Sequence, residues 1–456
     1  MNVQERLESL SPTDIGVDGP TAADMAKVFR SVRRDPLTFL SRVTRQYGDT
    51  VAFPVPGSPA VLFNDPQDVR QILQTSARNW SKQTVQYAAL ARVTGPGLLA
   101  SAEPNWIEHR RLAAPAFHHH RLAAVGEQVR DAARDCFGET LGPRSDGDIV
   151  DFSDLMHRVA LDAVGRALFS TDLSSRTDDL LDATSAAAEL IVRVGRSVVP
   201  SAQWTPTRTN LRLRRTRRTM GSICADLISA RRARSSDGQH GDDLLGLLLD
   251  GGLSDQEITD ELITMVIAGH ETVAAALSWT LMLLAEHPQM QQELRSELTG
   301  HHNPSMLTGR DQLPWTHAVI DETLRLYPPA WALSRRSRGE EVVGGSITLP
   351  AGTLAIISPW ILHRRRSDWP DAETFRPERF LGTTPPRQGY IPFGQGPRLC
   401  IGREFAIGEM VVVLAELLRD HRISLPDGWR RPAHQTRVAV HPSGGMPLRV
   451  DPIRSA

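Results

Sequence analysis

One stretch of the chain is apolar on nearly every face: SDQEITDELITMVIAGHETVAAALSWTLMLLAEHP, from Ser254 to Pro288. A helix that is hydrophobic all round belongs in a core rather than at a surface. Ser254 with Glu257 three residues later is a capping-box signature, and Pro288 closes the run, so the pattern predicts a helix over Asp255–Glu286. At about 1.5 Å per residue that helix is roughly 48 Å long, more than a small domain is wide. A buried helix of this length favours one large domain over the three that 456 residues would suggest by length alone.

Elsewhere the period changes. Near the start, DTVAFPVPGSPAVLFND holds two short β-branched and aromatic runs about Pro56-Gly57-Ser58, the pattern of a hairpin. From Asp65 to about Leu333 the spacing is helical, with polar turns between. Strand-like runs return over Val342–Ile357, with LPAGT as a turn, and again over 437–450. The bulk of the chain is therefore helical and its strands few. No internal repeat and no low-complexity linker divides it.

Composition changes this picture little. The chain is 40% hydrophobic and 23% charged, the ordinary balance of a globular protein. Its 52 basic and 53 acidic side chains leave a net charge of −1, which excludes the overall basic surplus of a nucleic-acid binder. Three widely spaced cysteines, Cys136, Cys224 and Cys400, make no disulfide framework and fit a reducing cytoplasm. The opening MNVQERLESLSPTDIGVDGP lacks the apolar core of a signal peptide, and no run of about 20 apolar residues predicts an anchor. A cytoplasmic protein without a membrane anchor is the expectation.

Several charged stretches read most simply as surface. RTNLRLRRTRRTM (208–220) falls at helical spacing in a chain of neutral charge, which fits a solvated helix face better than a binding patch. ARRARSSDGQHGDDLL (230–245) reads as an exposed loop before the next helix. In FHHHR (117–121), consecutive histidines on a helix point different ways and cannot all meet one ion.

Chemistry enters at YIPFGQGPRLCIGREFAIG, Tyr390–Gly408. Gly394, Gly396 and Gly402 let the backbone take positive φ or pass close to a flat ligand. The helical spacing of REFAIGEMVVVLAELLRD puts Cys400 near a helix N-terminus, where partial positive charge and free N–H groups favour a thiolate. Such a thiolate suits a metal ligand with tuned electron donation. A buried structural cysteine beside a glycine turn is the other reading. Three more motifs are equally double. ETLR sets Glu322 and Arg325 three apart on a helix, as an everyday surface pair or as part of a buried network. In AGHET (268–272), small residues permit close helix packing, with Thr272 bonded back to a carbonyl, or they leave space beside a reactant. NWIEHRRLAAPAF carries Trp106 and Arg110 on one helical face, with Arg111 a plain exposed neighbour.

Taken together, these residues resemble the cytochrome P-450 family. Phe393, Gly396, Arg398, Cys400 and Gly402 fill every fixed position of its F-x-x-G-x-R-x-C-x-G loop, and the motifs keep the family's order from about Pro36 onward. The resemblance implies one mainly α domain over 1–456 with a small β-rich lobe and an N-terminal extension over 1–35. It implies haem b (iron protoporphyrin IX) held between the long central helix and the cysteine loop, with Cys400 as the axial iron ligand and Phe393 and Gly402 lining the cofactor. The haem propionates would meet Trp106, Arg110, Arg398 and, from LSRRS, Arg335 in preference to Arg336. AGHET matches the family's A-G-x-[DE]-T element. Ala268 and Gly269 would leave room for O2, Thr272 would donate a hydrogen bond to it, and Glu271 would help relay protons. Val273 stands where a second Thr or Ser is common, and His270 is given no role. ETLR with FRPERF (375–380) implies a buried Glu322–Arg325–Arg379 network that positions the core on the haem side.

The implied enzyme is a monooxygenase that inserts one atom of O2 into a C–H bond of a lipophilic molecule, with thiolate donation favouring O–O cleavage. Electrons would come from a separate ferredoxin and ferredoxin reductase, docking where Arg403, Arg111 and Arg121 offer positive charge. By the resemblance, the pocket segments are 83–98, 187–204, Met265–Ala268 and Ala330–Leu333; they are rich in Ala, Val and Leu, which implies a lipophilic substrate. The YPPAW and WIEHRR variants look more like bacterial oxygenases of terpenes and fatty acids, a resemblance that implies a terpenoid or other specialised metabolite. Arg193 and Arg196 could instead grip the carboxylate of a fatty acid. A peroxide-driven peroxygenase typically lacks the pair Glu271-Thr272, and a haem carrier without turnover has no use for it.

Overall fold

The computed structural model describes residues 15–453 except 56–58, 143–144, 146, 174–175, 196–204, 235–238, 302 and 383–388. The chain folds as two compact units, one from residues 1–88, 330–374 and 384–400, the other from 89–329, 375–383 and 401–456.

The first unit holds the small β-rich part. Strands β1 (Thr50–Phe53), β2 (Ala60–Phe63), β3 (Trp80–Ser81), β4 (Leu333–Ser337) and β5 (Leu354–Ile357) form one sheet in the order β1-β2-β5-β4-β3. β1 and β2 pair antiparallel with Phe53 opposite Ala60, as a hairpin requires; its expected turn, 56–58, lies outside the described residues. All four residues of β2 are buried because both faces of the strand are covered. Val61 and Phe63 pack with Ile72, Leu73, Trp80 and Ile357 on one side. Ala60 and Leu62 pack with Phe39, Leu40, Val51 and Ile361 on the other, following the period of two that a strand imposes.

The second unit is mainly helical. The helices that bear on function are α1 (Asn105–Ala113), α2 (His119–Leu141), α3 (Phe152–Phe169), α4 (Thr177–Gly195), α5 (Asp255–Glu286), α6 (Pro314–Leu326) and α7 (Arg403–Asp420). α5 has the boundaries that its sequence predicts. The Ser254 side chain accepts from the Glu257 N–H, and the Ser254 N–H donates to the Glu257 carboxylate at 2.9 Å, closing the capping box. α5 is long and apolar enough to cross a membrane, but most of that span is buried within the protein, as in a core helix. From Asp260 to Ala285 every residue is buried except Ala268, Gly269 and Thr272. α5 lies close against α3, and Gly269 permits that approach: a Cβ there would sit 2.9 Å from Cγ2 of Val164. Further along, the Trp279 indole donates to the Val440 carbonyl at 2.8 Å and stacks on Tyr327 with ring centroids 4.1 Å apart.

The basic stretch 208–220 lies on the helix Arg208–Arg234 and behaves as a solvated face, with Arg212 paired to Glu189 at 3.0 Å and Arg217 to Asp260 at 2.9 Å. His118, His119 and His120 are all exposed.

Candidate functional site

The cysteine loop belongs to the first unit. Its entry is fixed where the Ile391 N–H donates to Nε2 of the buried His363 at 2.9 Å. Gly394 and Gly396 both take positive φ, +73° and +74°. At Gly396 an added Cβ would lie 2.0 Å from the carbonyl oxygen of Leu73, so the loop can cross that backbone only as glycine. One 3-10 turn over Gly396–Arg398 follows, and then the Cys400 N–H donates to the Phe393 carbonyl at 3.0 Å, closing the loop on itself. Cys400 is exposed. The other two thiols are not: Cys136 and Cys224 are both pushed up to about 12 by burial, so neither is a thiolate at neutral pH. Gly402, just before α7, has φ −91° and only ordinary contact with Phe117 at 3.5 Å, so the chain itself does not require a glycine there.

β4 of the same unit carries the two arginines of LSRRS. Arg336 donates to the carbonyls of Gln83 at 3.1 Å and Gly352 at 2.8 Å. Arg335 is buried, and its Nη1 donates to the carbonyl of Ser334 at 2.8 Å. No carboxylate among the described residues pairs with Arg335. A buried guanidinium without an anion is costly, and a cofactor carboxylate would relieve it. The residues present therefore fit an anionic group such as a propionate.

In the second unit, α1 presents the expected pair. Trp106 is buried, and the Arg110 guanidinium lies over its ring, 5.8 Å from the centroid. Between them in sequence, His109 is buried too, with Nδ1 2.7 Å from the Glu261 carboxylate. That hydrogen bond raises the His109 pKa against the effect of burial and ties α1 to α5. Sequence spacing gave no sign of the pair. Of the arginines expected to attract an acidic partner, Arg111 is exposed, Arg403 lies 3.5 Å from Glu404, and Arg121 is held by Asp242 at 2.7 Å.

On α5 the half-exposed residues make a short stripe. Ala268 and Thr272 are one turn apart, and the Thr272 hydroxyl donates to the Ala268 carbonyl at 2.7 Å. Glu271 instead points into the core. It accepts from Nε2 of His441 at 2.9 Å, with Nε2 of His270 4.0 Å away. His157, from α3, stacks on His441 with centroids 5.3 Å apart. Burial alone would raise the Glu271 carboxyl, but the hydrogen bond and charge of His441 outweigh it and hold the group at about 2. Burial and the neighbouring His270 push His157 down to about 3, so its ring is neutral.

The expected network is complete in this unit. Arg325 donates through Nε to Glu322 at 2.7 Å and through Nη2 at 2.8 Å, both side chains being fully buried. Arg379 adds Nε at 3.2 Å and the Arg376 N–H adds another bond at 2.9 Å. A carboxylate so fully paired is a positioning element rather than a reactive one.

A cytochrome P-450 family model matches residues 25–448. Over 86% of its length the chain is 32% identical to cyclooctat-9-en-7-ol 5-monooxygenase of Streptomyces melanosporofaciens, covering 85% of that protein. It is 30% identical to leukotriene-B4 omega-hydroxylase 3 of Mus musculus, over 96% of this chain and 87% of that one. Among solved structures, CYP175A1 of Thermus thermophilus matches with a TM-score of 0.76 and 32% identity, over 94% of this chain and 98% of that one.

Proposed function

We propose, for a chain that belongs to the cytochrome P-450 family and is a haem-dependent monooxygenase, that Cys400 is the axial thiolate and that the substrate is a terpenoid or related lipophilic metabolite. The observation that carries the first part is the closed loop itself, which presents the chain's exposed cysteine just after two glycines held at positive φ. Haem b, when bound, supplies an iron at which O2 is reduced and cleaved. The protein's part is to hold, shield and protonate. Arg335, Arg398, Trp106 and Arg110 anchor the propionates, and the buried charge of Arg335 gives this its strongest physical ground. Phe393 ties Cys400 in place through its carbonyl, which accepts from the Cys400 N–H. Gly402 keeps a side chain away from the cofactor.

Ala268, Gly269 and Thr272 form the face of α5 open to O2 and substrate. Thr272 already donates to a carbonyl one turn back, and rotating its hydroxyl away from Ala268 frees the proton for O2. Glu271, ionised at rest, relays protons from another side of the helix, taking them from His441 and passing them on. Like its family, the enzyme uses O2, an organic substrate and separate redox partners. We assign these to a ferredoxin and its reductase, with Arg111 and Arg403 as the basic groups offered to them; Arg121 is already committed to Asp242.

The choice of a terpenoid over a fatty acid rests on Arg193. Its guanidinium is exposed and paired to Glu189 at 3.2 Å on the surface of α4, so it is not a buried cation awaiting a carboxylate. Arg196 lies outside the described residues. The Streptomyces relative acts on a cyclic alcohol by its name, which fits the same side of the choice.

The test is the absorption spectrum of dithionite-reduced enzyme under carbon monoxide, beside Cys400→Ser. A strongly red-shifted Soret band that the variant loses establishes the thiolate. A spectrum like that of a histidine-ligated haem in folded wild type would overturn it. Product analysis with terpenoid alcohols against long-chain fatty acids then decides the substrate class.

A further inference from the structure

We propose that His157, His270 and Glu271 form a binding site for a divalent first-row transition metal ion, with zinc(II) the reference case. The site is distinct from the iron at Cys400. One ligand atom from each residue lies within 4.8 Å of the other two, all in the second unit. An ion bound at about 2.0–2.2 Å by imidazole and carboxylate needs donor atoms roughly 3.4 Å apart, so side-chain rotation of about an ångström closes the set.

The donor atoms are prepared for a cation. His270 is fully buried, and its Nδ1 donates to the Val266 carbonyl at 3.0 Å, which leaves the lone pair on Nε2. That lone pair faces Oε1 of Glu271 across 4.0 Å, two acceptors opposed with no protein proton between them. Thr184 comes within 3.5 Å of the same nitrogen, but its hydroxyl proton goes to the Leu180 carbonyl at 2.8 Å. The other oxygen of Glu271 takes a hydrogen bond from His441. A carboxylate or imidazole ligand steered by an outer hydrogen bond, as here by His441 and the Val266 carbonyl, is the usual second layer of a metal site.

His157 completes the set from α3. Its ring makes no hydrogen bond to the described residues, meets the His270 ring edge-on at 5.4 Å, and is only partly buried, which gives an ion a way in. The ionisation states suit a metal: His157 and His270 are both held neutral by burial, while Glu271 stays ionised. The titratable and charged groups that face the cluster are the His441 imidazole on one side and Arg437, whose field also acts on His157. With two imidazoles and one carboxylate, the set suits zinc(II), nickel(II) or copper(II) better than magnesium or calcium. On the reading that Glu271 relays protons, an ion here immobilises that carboxylate and brakes turnover, so binding is measured apart from activity.

The experiment uses full-length, haem-loaded, tag-free enzyme freed of adventitious metal by dialysis against EDTA. Zinc(II) is titrated in competition with a chromophoric chelator, and the zinc-edge X-ray absorption spectrum of the loaded protein is recorded. The wild type is expected to bind one zinc(II) per chain with nitrogen and oxygen ligands that include imidazole. His157→Gln and Glu271→Gln should each weaken binding by more than about 100-fold while the reduced carbon monoxide spectrum is kept. A triple variant with His118, His119 and His120 all changed to Gln should bind as wild type does. Zinc lost in the triple variant but kept in His157→Gln overturns the proposal, as do sulfur ligands in the X-ray spectrum or no zinc beyond the chelator's reach. Should His157→Gln fail to fold, Glu271→Gln and the wild-type ligand spectrum decide it alone.

Discussion

Thr272 and Glu271 are adjacent in the chain, yet Thr272 lies on the half-exposed stripe of α5 while Glu271 is buried on another side of the helix, bonded to His441 at 2.9 Å. About 100° of helical rotation separates consecutive side chains, so one helix can show a reactant its alcohol and keep its acid in the core. The two residues therefore fail differently when changed. Thr272→Val should leave substrate binding and haem content intact but divert electrons from product to hydrogen peroxide. Glu271→Gln should slow product formation with a solvent isotope effect larger than that of wild type. Peroxide and product measured per electron consumed, in water and in deuterium oxide, separate the two; equal peroxide yield from Thr272→Val and wild type would remove its assigned role.

Acid stability offers a second check on the same residue. The Glu271 carboxyl ordinarily titrates near 4.5 and is held at about 2 in the folded protein. A depressed folded pKa contributes stability that is fully present above about 4.5 and is lost as pH falls toward 2. At about 1.4 kcal/mol per unit the contribution is on the order of 3 kcal/mol. The urea midpoint of Glu271→Gln should thus differ from wild type at pH 7, and the gap should narrow below pH 4.5. A gap independent of pH would show that His441 does not hold the charge.

Glu322→Ala strands Arg325 and Arg379. Arg325 is fully buried, and losing one partner of such a pair costs about 3–5 kcal/mol. We expect low yield, and a haem-to-chain ratio well below wild type in what remains folded. Normal haem content would mean that the network does not position the cofactor.

Two glycines of the cysteine loop should separate the needs of the chain from those of the cofactor. Gly396→Ala drives a methyl to 2.0 Å from the Leu73 carbonyl at a φ of +74°, so the loop must shift and little protein should carry thiolate-ligated haem. Gly402→Ala meets its nearest neighbour at 3.5 Å, an ordinary contact, so the chain should fold and any loss should appear in haem retention alone. Chain yield and haem content together read the difference.

The cysteine loop and the long helix were legible in the sequence because each depends on residues close together in the chain; the Glu322 network, whose Arg379 lies 57 residues away, was legible only through the family resemblance. Five fixed positions within Phe393–Gly402, or a capping box at Ser254, need no knowledge of distant contacts. The histidine cluster depends on topology instead. His441 reaches Glu271 across 170 residues, and His157 arrives from another helix, so no spacing rule joins them and His270 looked like filler. His109 and Glu261 are hidden for the same reason, 152 residues apart. Gly269 was legible as small, but the sequence could not say what it makes room for. The fold supplies one answer in Val164, a packing demand alongside the expected space for O2.

That contact works as an index mark on the rotation of α5. With 2.9 Å between Cγ2 of Val164 and a would-be Cβ at 269, a side chain there would force Val164 to shift or push α5 away from α3. The bearing of Thr272 toward its reactant is thus tied to a packing contact made one turn away on the same side of the helix. Gly269→Ala would be a misalignment rather than a lost group, and a smaller neighbour at 164 would be the change that corrects it.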